Sequence, residues 1–109
     1  IRITDGTIRA NKNFSANDYM IHVGANEPSD CTTSQKSCNE YVNIDHFFCD
    51  CKQVCYGCIH YVSGMSSNVG PQAFFLGYNY AGVTATGGHS LFLLNSWFGE
   101  YLYSDPRKG

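Results

Sequence analysis

Hydrophobic and polar positions change rhythm several times along this chain. The first ten residues alternate on either side of an Asp5-Gly6 pair. Such a pair tolerates the positive φ that a type I′ turn requires, so a hairpin of Ile1–Thr4 and Thr7–Ala10 is predicted. That register sets Ile3 against Ile8 on one face and Arg2 against Arg9 on the other. One longer strand kinked at the glycine accounts for the same letters. Tyr19 to Val23 is a second predicted strand, with Tyr19, Ile21 and Val23 on one face and Met20 and His22 on the other.

A polar, proline-containing loop follows from Ala25 to Asp30. Apolar or cysteine residues then recur at Ile44, Phe47, Phe48, Cys51, Val54, Cys55, Cys58, Ile59 and Val62. Steps of three and four predict a helix, or two with a break near Asn43. Thr33 or Ser34 would cap its start and Ser63-Gly64 its end. After a Ser/Gly/Asn/Pro loop, Ala73–Tyr80 reads as a largely buried strand and Gly82–Gly88 as a strand and turn. Ser90–Tyr103 fits either a helix or two strands split at Asn95 or Gly99; the aromatic content favours strands. No internal repeat is evident. The expectation is an α+β fold: an antiparallel β-sheet with a disulfide-bonded helix packed on it.

The 109 residues suit one domain spanning 1–109. So short a chain buries about two-thirds of its unfolded surface, which leaves a thin stability margin and favours covalent staples. Six cysteines, 43% hydrophobic residues and only 15% charged residues fit a secreted, extracellular domain. A start at Ile1 reads as a mature form cut from a precursor. The net charge of −2 argues against nucleic acid as a partner, and no apolar run approaches the length needed for membrane insertion.

All the cysteines (Cys31, Cys38, Cys49, Cys51, Cys55 and Cys58) fall in one window. Residues three or four apart on a helix rarely have disulfide geometry, so the bonds are expected to tie the helix to the Cys31–Cys38 segment, unless the helix is interrupted. Spacing does not choose among the pairings. A metal reading would use His46, Cys49, Cys51, Cys55, Cys58 and His60, and Cys55-Tyr56-Gly57-Cys58 is a CxxC pair. The second pair, however, is CxC within the predicted helix. Disulfides are preferred over zinc or a redox CxxC, and neither a metal nor a cofactor is expected.

Four histidines, His22, His46, His60 and His89, are candidates for acid–base chemistry. His22 and His89 lie on or beside predicted strands and could meet in a small hydrolase such as a ribonuclease. Gly87-Gly88-His89-Ser90 lacks both the serine-elbow and the phosphate-loop contexts, so it reads as a tight turn. Asn13-Phe14-Ser15 is an N-glycosylation sequon. The aromatic residues carry more information. Tyr78, Asn79, Tyr80, Trp97 and Tyr101 put flat rings beside amides, which is how proteins cover a sugar's C–H face and pair its hydroxyls. Phe74, Phe75 and Phe98 read as core.

In size, cysteine content and expected layout the chain resembles the small secreted glycan-binding proteins of ink-cap mushroom fruiting bodies. That resemblance implies an α/β/α sandwich whose sheet continues across a homodimer. It also implies binding of cell-surface glycans containing N-acetylgalactosamine or fucose, with cytotoxic or antiviral effect. The expected function is therefore a non-enzymatic fungal lectin, paired through an edge strand such as Tyr19–Val23 or Ala73–Tyr80. A secreted hydrolase, or an effector or toxin acting by protein contact, is the alternative.

Overall fold

The computed structural model describes residues 1–24, 41–62, 64, 66–87 and 90–99. Nine strands run through them: β1 (Arg2–Arg9), β2 (Tyr19–Val23), β3 (Asn43–Asp50), β4 (Gly57–Tyr61), β5 (Ser67–Val69), β6 (Ala73–Leu76), β7 (Ala81–Ala85), β8 (Leu91–Leu93) and β9 (Trp97–Gly99). Every pairing among them is parallel. In one sheet β1 pairs β3, β3 pairs β5 and β6, and these pair β8 and β9 in turn. In the other, β2, β4 and β7 lie side by side. Each strand thus bonds to its counterpart one circuit later, and the chain winds as a solenoid of stacked coils.

This overturns the α+β expectation. Among the described residues no helix occurs, no strand pair is antiparallel and no helical layers make an α/β/α sandwich. The predicted hairpin is one strand, β1, with a kink: Asp5 takes φ 57° but Gly6 is not left-handed, so only half of a type I′ turn exists. The predicted helix is two strands, β3 and β4. Tyr19–Val23 is a strand as expected, and the described part of the last segment, residues 90–99, is two strands parted at Asn95. The strand expected at Ala73–Tyr80 stops at Leu76, before Gly77 at φ 70°.

The kink in β1 recurs. Asp5, His46, Gln72 and Asn95 occupy the same place in successive coils, with φ of 57°, 47°, 56° and 39°. Their backbones stack: His46 N–H donates to Pro71 O, Phe47 N–H to Gln72 O and Gln72 N–H to Asn95 O, at 2.9–3.0 Å. Each corner breaks the two-residue alternation of a strand, so inward positions run Ile44, Phe47, Cys49, Cys51. That step of three, followed by a turn, is what imitated a helical period.

Inward side chains stack in columns. Ile3, Ile44, Val69 and Leu93 form one; Ile8, Cys49, Phe75 and Phe98 form another, with the last two rings stacked at 5.1 Å. Ile21, Ile59 and Val83 form a third. Each fully buried side chain of this size contributes about 1.5–3 kcal/mol. A repeat does exist, then: the Ile44, Val69 and Leu93 positions lie 25 and 24 residues apart. Residues 25–40, between β2 and β3, lengthen the first interval and hide it.

Cys49 and Cys58 join β3 to β4 across the interior, and Cys51 and Cys55 close the turn between those strands. All four are fully buried. The second bond links residues four apart because the chain there is a turn, not the helix that was expected to forbid it. Cys31 and Cys38 lie outside the described residues. Turns stack like strands: Cys51 N–H donates to Leu76 O, Gln53 N–H to Gly77 O and Tyr80 N–H to Tyr56 O.

Stacked coils also approach closely at Gly57, where a Cβ would strike the Ala81 carbonyl oxygen and the Tyr19 ring. Gly57→Ala is expected to destabilise the fold by about 1–3 kcal/mol. Urea unfolding followed by circular dichroism checks this, with Gly87→Ala as a control away from the contact.

Candidate functional site

Inward positions are consumed by the core, so chemistry must use the outward rows. On the first sheet, Thr7, Phe48, Phe74 and Trp97 stand in register on successive coils. The Phe48 and Phe74 rings are 6.4 Å apart, as are Phe74 and Trp97. Phe74 is 40% and Trp97 44% exposed. The Arg9 guanidinium lies 5.9 Å from the Phe48 ring centre, within cation–π range.

Beside this row, at the corner, an open cleft of about 430 Å³ is lined by Asp5, Thr7, His46, Phe48, Gln72 and Phe74. Parallel stacking is what gathers its polar groups, because Asp5, His46 and Gln72 are corner residues of three coils. Beneath the rim, Asp45 is buried and accepts from Arg2 Nε and Nη2 at 2.9 and 2.8 Å and from Thr4 Oγ1 at 3.2 Å. His46 Nδ1 lies 2.6 Å from the same carboxylate. The Arg2 hydrogen bonds, then that of His46, hold Asp45 well below the usual carboxylate range. Arg2 is raised in return. The imidazole is therefore oriented by a partner that stays charged well below neutral pH, with Nε2 left for a ligand.

The second sheet carries a separate cluster. Tyr56 and Tyr80, one coil apart, stack face to face at 4.6 Å and 2°. Tyr19 meets Tyr56 edge-on at 5.5 Å and stacks on His60 at 4.8 Å. His22 and His60 are direct register partners with ring centres 5.4 Å apart.

The expected ligand residues are dispersed. Tyr78 packs on the core. Asn79 is exposed and donates to Gln53 O at 3.2 Å. Tyr80, 60% exposed, belongs to the second-sheet cluster, whereas Trp97 belongs to the first-sheet row. Tyr101 lies outside the described residues. Phe74, read as core, is an outward ring, and Phe48 was not singled out. The coil interval would have found both, since it relates Phe48, Phe74 and Trp97.

Other readings change too. The sulfurs of Cys49, Cys51 and Cys58 lie within 4.8 Å of one another, but they are committed to disulfides, and the CxxC cysteines are not bonded to each other. His22 faces His60; its suggested partner His89 lies outside the described residues. β6 is an interior strand between β3 and β9, so Ala73–Tyr80 offers no edge, while β2 is an edge of its sheet. The sequon residue Asn13 is exposed.

A carboxylate depressed in the folded state contributes stability that is complete above its unfolded pKa of about 4. For Asp45 that contribution declines below that pH, as the unfolded chain takes up a proton that the folded form resists, and is gone once strong acid protonates the folded form as well. Asp45→Asn should lower the melting temperature at pH 6, and the gap from the native protein should narrow towards pH 2; thermal unfolding across that range checks it. No family model matches the chain, and neither a curated protein nor a solved structure resembles it significantly.

Proposed function

We propose that the protein binds carbohydrate, and that an extended glycan lies along the solenoid axis on the outer face of the first sheet. The observation that carries this reading is the in-register row Phe48, Phe74 and Trp97, one outward ring per coil, half-buried at Phe48 and exposed at Phe74 and Trp97. Such rings cover the apolar C–H faces of sugar residues. The adjoining cleft supplies what stacking lacks: Asp5, Thr7, His46 and Gln72 offer carboxylate, hydroxyl, imidazole and amide groups to hydroxyls. A repeating ligand suits a repeating protein surface, since successive sugars meet equivalent groups on successive coils. Paired disulfides fit an oxidising, extracellular setting for such a partner.

The test is binding of the non-reduced protein to a broad glycan array and to soluble and insoluble polysaccharides. Trp97→Ala and Phe74→Ala should each weaken binding about tenfold, equivalent to about 1.4 kcal/mol. Tyr80→Ala, on the other sheet, should leave it unchanged. No binding anywhere on the panel, or binding untouched by both ring deletions, rejects the reading.

A further inference from the structure

A second site stands apart from the glycan surface and does not depend on it. We infer that His22 and His60, on the second sheet, form a two-imidazole site for a divalent late transition-metal ion such as Zn²⁺. The two residues are opposite one another on parallel β2 and β4, so the backbone fixes their separation. Their ring centres are 5.4 Å apart with planes inclined by 62°. An imidazole nitrogen ligates zinc at about 2.0–2.1 Å, which sets two tetrahedrally disposed ring centres about 5.2 Å apart. The observed pair is already at that spacing.

The surroundings supply what a ligating histidine needs. His60 Nε2 lies 3.0 Å from Thr86 Oγ1; when Nε2–H donates there, Nδ1 keeps the lone pair for a metal. Tyr19 stacks on the His60 ring and is itself tied down by a 2.7 Å hydrogen bond from its hydroxyl to Thr84 Oγ1. His22 is exposed, so water or an oxygen ligand from a partner molecule has access to the remaining positions.

The experiment is titration of the full, non-reduced chain with zinc chloride, followed by the histidine ring resonances in two-dimensional NMR and by calorimetry. One zinc per chain is expected, with His22 and His60 resonances shifting together ahead of His46 and His89. His22→Ala and His60→Ala should each weaken binding at least about tenfold, whereas His46→Ala should not. Because the resonances are read in the native protein, the outcome stands even if a variant folds poorly. Absence of binding at millimolar zinc, or first responses at His46 or His89, overturns the inference. So does native affinity in both variants.

Discussion

Four residues held in the left-handed region govern this architecture. Asp5, His46, Gln72 and Asn95 each turn their coil at the same point. Non-glycine residues there cost of order 1 kcal/mol each or more, and aspartate, asparagine and histidine tolerate the region better than most. The cost is offset because one corner templates the next through Gln72 and Asn95 carbonyls. Moving any corner by one residue would turn inward residues outward on that coil alone, breaking columns such as Ile44–Val69–Leu93. Register is therefore enforced twice, by backbone pairing and by the core.

The same constraint explains what was legible in the sequence. Tyr19–Val23 and a break at Asn95 or Gly99 were readable because strand alternation and turn chemistry are local signals. The parallel pairing was not, since it joins residues such as Ile3 and Ile44 through an interval stretched by residues 25–40. The helix-like spacing from Ile44 to Val62 was a mixture of two signals: a corner that converts a step of two into three, and a disulfide-closed turn between strands. Periodicity alone does not separate these from an amphipathic helix when the segment is short and apolar. The site suffered likewise. The value of Tyr and Trp was visible, but Phe74 and Phe75 look alike in sequence and differ only in which way a coil faces them.

The cysteines act within this frame. Cys49 sits in the inward column between Ile8 and Phe75, and its bond to Cys58 spans the two sheets of the second coil. The Cys51–Cys55 bond fixes the turn on which Gly77 and the backbone of Tyr80 rest through Gln53 and Tyr56. Both staples thus hold one coil, and its neighbours pair against a rigid template. Parallel strands close long loops before their contacts form, so a pre-fixed coil lowers the entropy that stacking must overcome.

A solenoid also decides where function can reside. Its inward columns are occupied, and Leu93, 53% exposed, shows what an inward position costs where no further coil covers it among the described residues. Outward rows carry no such obligation, so a ring there is not required by packing. Phe48, Phe74 and Trp97 nonetheless hold one outward column on three successive coils, next to a cleft whose polar groups come from three corners. Exposed apolar groups that recur in register are unfavourable for a surface facing only water. They are favourable for one that meets a ligand with its own apolar faces, and the charged Arg2–Asp45 pair beneath the rim keeps His46 oriented towards it.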